Sequence, residues 1–292
     1  MRPLPTEWPQ IERGGRSTIV PFEPYMRKPL AVGLTAEIYF WEEGWVLKLF
    51  KEGFSKAEVR EEARLTEAAR RADLPVPAVG EVLEVSGRYG FLCERVEGPS
   101  LMDLVARKPW RYRKYARLLA QLQRKMHRLE GGEELPSQYD RLERKIRSAT
   151  NLPAGLRRAA LGTLKDLPRG DRLCHGDFHP GNVLMEGGQP VLIDWNDATR
   201  GNPWADFARS LLVMEKGRPP EEVAPYEKWI ISLLKRLFQR AYRGDYLKLG
   251  RGEVDREAIE EWKTVNAAAR LSENVPEGQE LLLFLERKLC EK

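Results

Sequence analysis

Cysteine and histidine are both scarce in this 292-residue chain, at three residues each. Cys93, Cys174 and Cys290 share no metal-ligand spacing, and their odd number argues against a disulfide framework. Reduced thiols packed inside a cytoplasmic protein are the expectation, since Met1-Arg2-Pro3-Leu4-Pro5 does not read as a secretory leader. No apolar run approaches the roughly 20 residues of a membrane span, so no membrane partner is expected. Internal repeats and low-complexity linkers are lacking as well. What remains is 42% hydrophobic and 32% charged residues, enough for one large domain or two lobes with real cores.

The formal charge of +5 is spread thinly. Acidic and basic residues alternate along helical stretches, as in Arg60-Glu61-Glu62-Ala63-Arg64, which is the signature of solvated faces. The densest basic stretch runs from Arg107 to Arg124, with Trp110, Tyr112 and Tyr115 among its charges. No nucleic-acid-binding motif accompanies it, and no nucleic-acid partner is expected.

The first 28 residues are rich in proline and glycine and read as a wrapping or frayed segment. Strand-like runs follow. Ile38-Tyr39-Phe40-Trp41 and Trp45-Val46-Leu47-Lys48-Leu49-Phe50 form a hairpin across Glu42-Glu43-Gly44. Residues 55–72 carry helix formers without Gly or Pro, and Pro75 and Pro77 end the helix. Two more strands are expected near 79–85 and 89–94, then a connector near 94–98. Beyond residue 99 helical periodicity takes over, in stripes through 113–129, 256–271 and 279–289. A further stripe comprises Tyr226, Trp229, Ile230, Leu233, Leu234, Leu237, Phe238 and Ala241. Two short strands at 183–186 and 190–193, joined by Gly187-Gly188, interrupt this pattern. The expected architecture is α+β and bilobal: a small β-rich lobe over residues 1–97 and a larger, mostly helical lobe over 98–292.

Chemistry concentrates in His175-Gly176-Asp177-Phe178-His179-Pro180-Gly181-Asn182 and in Ile193-Asp194-Trp195. Asp177, Asn182 and Asp194 stand five and then twelve residues apart (182 − 177 = 5, 194 − 182 = 12). Phosphoryl transfer from a magnesium nucleotide needs such a set: a carboxylate to meet an acceptor hydroxyl, here Asp177, and hard oxygen ligands for Mg²⁺, here Asn182 and Asp194. Any one of them alone would read as a turn residue. Three at these offsets beside a hairpin point to a kinase. His175 is expected to buttress the loop through backbone hydrogen bonds; His179 either does likewise or faces the acceptor. Pro180 and Gly181 argue against a zinc-binding helix carrying both histidines.

Lys48 interrupts an apolar strand and is assigned to the nucleotide phosphates. A carboxylate on the following helix should hold it; Glu58, Glu61 and Glu62 are candidates, and Glu62 fits best. Gly33, just before the first strand, would let backbone approach phosphate.

These residues together resemble the aminoglycoside phosphotransferase and choline kinase-like family, over roughly residues 30 to 285. The resemblance implies the protein kinase-like fold, ATP as donor with GTP not excluded, and Mg²⁺. It makes Gly33-Leu34-Thr35-Ala36-Glu37 the nucleotide loop and Leu74-Pro75-Val76-Pro77 the turn after the lysine-pairing helix. It also makes Glu94-Arg95-Val96 the hinge, where the main chain from Glu94 to Val96 would meet adenine. Gly201-Asn202-Pro203-Trp204-Ala205-Asp206 is similar to the segment whose aspartate, here Asp206, braces the catalytic loop. Two departures from protein kinases favour a small-molecule hydroxyl acceptor: Gly176 stands where they carry arginine, and their Ala-Pro-Glu signature is missing. The single-glycine phosphate loop is a further departure. Acceptors in the family include aminoglycosides, choline, sugars and other alcohols. For a cationic acceptor, Asp197 and Glu273 are the candidate contacts. Trp195, Trp204 and Trp262 read first as core and second as an aromatic wall. The competing readings are an atypical protein kinase and a nucleotide-binding scaffold without turnover.

Overall fold

The computed structural model describes residues 28–216, 225–250 and 256–290. The proline- and glycine-rich start, apart from Lys28, lies outside the described residues. The chain divides into two compact units. The first comprises the chain up to Glu67 together with Pro77–Val96, and the second Ala68–Val76 together with Glu97 onward. Residues 68–76 thus group with the helical unit, although they precede the hinge in sequence. Hydrogen bonds explain this: Leu192 N–H donates to the Pro75 carbonyl at 2.7 Å, and Lys125 Nζ to the Asp73 carbonyl at 3.5 Å.

The first unit is an antiparallel sheet of five strands: β1 (Ala31–Val32), β2 (Ala36–Glu42), β3 (Trp45–Phe50), β4 (Val79–Val85) and β5 (Arg88–Glu94), in the order β1-β2-β3-β5-β4. The two hairpin turns follow from their residues. Gly44 takes φ +81° between β2 and β3, and Ser86-Gly87 takes φ +50° and +76° in a two-residue turn between β4 and β5. Strand β3 is central, with Lys48 opposite Ile38 on one side and Phe91 on the other. Period-2 alternation sends Leu47 and Leu49 to one face, where Tyr39, Trp45, Leu83, Val85 and Leu92 bury with them. Phe50, and with it Lys48, turns to the opposite face. There Ala36, Phe50 and Phe91 pack on Val59 and Ala63 of helix α1 (Lys56–Arg71). Gly90 is required where β5 passes β3, because a Cβ there would stand 2.6 Å from the Lys48 carbonyl oxygen.

The second unit holds α2 (Leu101–Arg107), α3 (Tyr112–Met126), α4 (Gln138–Ser148), α5 (Ala154–Asp166), α6 (Pro203–Lys216), α7 (Pro225–Leu249), α8 (Arg256–Arg270) and α9 (Gly278–Cys290). Two strand pairs lie among them: β6 (Arg172–Cys174) with β9 (Thr199–Gly201), and β7 (Val183–Glu186) with β8 (Gln189–Leu192). Gly187 and Gly188, both at positive φ, make the β7–β8 turn. Helix α6 is buried continuously from Ala205 to Leu212, so it forms the spine of this unit. Phe207 stacks on Tyr246 of α7 at a centroid distance of 3.8 Å.

Of the stripe read along α7, Phe238 is buried, as are Tyr242 and Tyr246 beyond its end, whereas Trp229, Ile230 and Leu233 are exposed. The pairing register gives the reason. Tyr242 meets Gln123 and Tyr246 meets His127, a constant offset (242 − 123 = 119, 246 − 127 = 119). By that offset Trp229 and Ile230 run past Tyr112, where α3 begins, while Leu233 falls level with its first turn. Burial pushes the Cys93 thiol up to about 12 and the Cys174 thiol well above its usual range, so both pack rather than react.

Candidate active site

The loop after β6 is built around Gly176. Its φ is +81°, and a Cβ there would fall 2.2 Å from the Asp197 carbonyl oxygen, so no other residue fits. Its N–H donates to Asp206 Oδ1 at 2.6 Å, and its carbonyl accepts from Arg209 Nε. Asp206 and Arg209 lie one turn apart on α6, so this helix holds both the N–H and the carbonyl of the glycine. The other Asp206 oxygen accepts from His127 Nε2 at 2.9 Å and from Gln123 Nε2 at 3.1 Å. Burial alone would raise the Asp206 carboxyl, but the bonds from His127 and the Gly176 N–H outweigh it and hold it below its usual value.

His175 is fully buried against Trp195 and Phe178. Its Nε2 meets the Ile193 carbonyl at 3.1 Å, and its Nδ1 accepts the Asp177 N–H at 3.3 Å. These partners assign the hydrogen to Nε2. Burial lowers the His175 pKa, so the ring is neutral. One imidazole thereby ties the loop at Asp177 to the backbone just before Asp194.

Two further bonds gather the three oxygen-bearing residues. Asn182 Nδ2 donates to the Asp177 carbonyl at 2.9 Å, and Ile193 N–H donates to the Asn182 carbonyl at 3.1 Å. With its amide N–H engaged, Asn182 keeps Oδ1 as the atom able to ligate a metal. Asp194 adopts φ +67°, a left-handed backbone that aspartate tolerates better than most residues. Among the described residues no group of three or more His, Cys, Asp or Glu is placed to hold a metal. One amide and one carboxylate suit Mg²⁺, which keeps several waters and uses few protein ligands.

Asp177 is held by charge. Burial would raise its carboxyl; the approach of His179, whose Nε2 lies 3.5 Å from Oδ2, and the charge of Arg209 bring it down to about 2. His179 accepts the Gly181 N–H on Nδ1 at 3.0 Å, which leaves Nε2–H toward the carboxylate. Sequence reasoning missed Arg209. Its signal was the i, i+3 spacing from Asp206, which puts both on one face of a helix. Protein kinases carry arginine at the position of Gly176; here a guanidinium reaches the same loop from α6.

Asp197 and Glu273, expected as contacts for a cationic acceptor, have internal cationic partners instead. Asp197 pairs with Arg141 at 2.7 Å and Lys145 at 2.9 Å. Glu273 pairs with Lys145 and Arg209, both at 2.9 Å, and with Arg270 at 3.0 Å. Burial would raise the Asp197 carboxyl, but Lys145, Arg209 and Arg141 hold it far below its usual value. The aromatic wall is not formed either. Trp195 and Trp262 are closed off from solvent, and Trp204 lies edge-on to Phe207 and Tyr246.

In the first unit, Lys48 is ion-paired with Glu62, with both side chains largely buried. The other two candidates have local duties: Glu58 accepts the Ser55 N–H at 2.8 Å at the start of α1, and Glu61 pairs with Arg64 at 2.6 Å. Gly33 donates its N–H to the Ala36 carbonyl at 2.8 Å, and the Thr35 carbonyl accepts from Lys51 N–H at 2.9 Å, which shapes the β1–β2 turn. Glu94 closes the end of β5: its N–H donates to the Ala78 carbonyl, and its carboxylate accepts the Ala78 N–H at 3.1 Å. Val96 follows at the end of the unit, with no backbone partner among the described residues.

The chain belongs to the phosphotransferase enzyme family, whose model matches residues 27–244. Family and fold together make it a phosphotransferase of protein kinase-like architecture. A thermostable mutant of the aminoglycoside phosphotransferase APH(4)-Ia, solved as a ternary complex with AMP-PNP and hygromycin B, is similar at a TM-score of 0.59 and 16% identity, covering 92% of each chain. An amicoumacin kinase in complex with AMP-PNP and Ca²⁺ is similar at 0.56 and 14%, covering 92% of this chain and 89% of that one. A choline/ethanolamine kinase family protein from Mesorhizobium loti is similar at 0.51 and 17%, covering 92% and 87%. No match was found among curated proteins. Among the described residues no helix is long and apolar enough to cross a membrane.

Proposed function

We propose that the protein transfers the γ-phosphate of ATP, with Mg²⁺, to a hydroxyl of a small alcohol such as an aminoglycoside, choline or a sugar. The observation that carries this reading is the set Asp177, Asn182 and Asp194, tied together by the Asn182–Asp177 and Ile193–Asn182 hydrogen bonds. The AMP-PNP in the ternary complex of the similar phosphotransferase supports ATP as the donor. Magnesium–ATP would supply the phosphoryl group and neutralise charge developing on its oxygens. Asn182 and Asp194 would hold the metal, Lys48 the α- and β-phosphates, Gly33 and Thr35 would shape the phosphate loop, and the main chain at Glu94 and Val96 would meet adenine.

Asp177 is ionised at neutral pH, and a carboxylate with a pKa of about 2 is a weak base. It would therefore act first by orienting the acceptor O–H. The acceptor oxygen forms its bond to the γ-phosphorus, the bond to the bridging oxygen breaks to release ADP, and the hydroxyl proton passes late to Asp177. His175 and Asp206 would hold the loop in register, while Asp197 and Glu273 would fix Arg209 beside Asp177. Because internal cations already balance those two carboxylates, they would not form a bare negative pocket for a cationic acceptor.

Nucleotide consumption across aminoglycosides, choline, homoserine and sugars, with Asp177→Asn as control, tests the assignment. The variant should keep AMP-PNP affinity and lose turnover by about 10²–10⁴-fold. Turnover equal to the parent would refute the role of Asp177. Transfer to protein substrates but to no small alcohol would favour the protein-kinase reading, and nucleotide binding without turnover the scaffold.

A further inference from the structure

A cleft of about 830 Å³ opens in the helical unit among the C-terminal end of α3, the segment leading into β6, the start of α6 and the end of α7. Among the described residues its walls carry five cationic side chains, Arg124, Arg128, Arg169, Arg172 and Lys248, against a single carboxylate, Asp171. Asp171 is 3.3 Å from Arg172 and mostly exposed, so it offsets one charge weakly. The catalytic residues are absent from this lining.

Arg124 is the informative member. It is 9% exposed, sandwiched with its guanidinium carbon 3.9 Å from the Tyr246 ring centroid and 5.1 Å from that of Trp204. Its Nε donates to the Tyr246 carbonyl at 2.9 Å, yet its buried Nη2 has no hydrogen-bond partner among the described residues. No carboxylate among them pairs with it. A buried guanidinium without a counter-charge is costly, and proteins normally supply a partner. Here the surrounding groups add further positive charge instead. The basic stretch noted in the sequence ends at this arginine.

We propose that this cleft is a binding site for a small molecule carrying two or more clustered phosphate groups. Orthophosphate would fill little of its volume and meet few of its cations, whereas a chain of phosphates spans several guanidinium groups, which recognise phosphate oxygens in bidentate fashion. Trp204 adds an apolar wall for any organic part of the ligand. The site is separate from the proposed transfer site and does not depend on that reading.

Inorganic tripolyphosphate is the probe, titrated calorimetrically into the full chain in EDTA so that metal-dependent nucleotide-site binding is suppressed. Three proteins are compared: the parent, Lys48→Ala, and the double variant Arg128→Gln/Lys248→Gln. Both substituted cleft residues are exposed, so folding should be unaffected, and an unchanged melting temperature checks this. Parent and Lys48→Ala should bind tripolyphosphate alike, with affinity that falls as salt is raised. The double variant should bind at least tenfold more weakly. Equal affinity in the double variant, loss of binding in Lys48→Ala, or no binding by the parent would overturn the proposal. Tighter binding of a single-stranded oligonucleotide than of tripolyphosphate would also overturn it, in favour of a nucleic-acid surface.

Discussion

His175 couples the geometry of the Asp177 loop to pH. Its Nδ1 accepts the Asp177 N–H, so a proton placed there would face another donor and break the bond that holds the loop. The folded-state pKa lies below the ordinary 6.5, chiefly through burial. A group with a depressed folded pKa contributes stability that is complete above its unfolded value and is lost as pH falls. Unfolding free energy measured in urea should therefore decline below about pH 6.5, with a slope approaching about 1.4 kcal/mol per pH unit once the unfolded state is protonated. His175→Gln, which can donate and accept at similar places without titrating, should flatten the profile between pH 6.5 and 5. Parallel profiles for the two proteins would contradict the neutral tautomer.

At the scale of elements, β3 and β5 set the height at which Lys48 stands. Gly90 lets the two strands approach, since a Cβ there would meet both the Lys48 carbonyl and, at 3.0 Å, the Leu47 side chain. Gly90→Ala should cost about 1–3 kcal/mol of stability, as overpacking does. It should also weaken AMP-PNP binding by displacing Lys48; denaturation and calorimetry read the two effects separately, and an unshifted affinity would show that the strand absorbs the methyl. Strands β2 to β5, helix α1 and the β7–β8 hairpin were legible because alternation and turn residues are local signals. The α7 stripe misled because periodicity reports an apolar face and not the length of the partner that covers it. Likewise Asp197 and Glu273 looked available in sequence, where the cations that neutralise them, Arg141, Lys145, Arg209 and Arg270, lie up to 128 residues from their partners (273 − 145 = 128). Arg209 was hidden for the same reason: its role exists only once α6 crosses behind Gly176.

For the molecule as a whole, a nucleotide that binds the folded chain and not the unfolded one should appear as added stability. AMP-PNP at 100 times its dissociation constant, with Mg²⁺, should add about 2.7 kcal/mol to the unfolding free energy. EDTA should remove most of that gain, and in Asn182→Ala Mg²⁺ should make little difference. A gain of equal size with and without metal would argue against Asn182 and Asp194 as the metal-holding pair.

The left-handed backbone of Asp194 has a consequence for how such a protein changes under selection. A non-glycine residue at φ +67° costs on the order of 1 kcal/mol, and glycine would relieve it. Asp194→Gly should thus be slightly more stable than the parent and inactive. Selection for heat tolerance alone would drift toward glycine at this position, whereas selection that requires turnover would keep aspartate and accept the lower melting point.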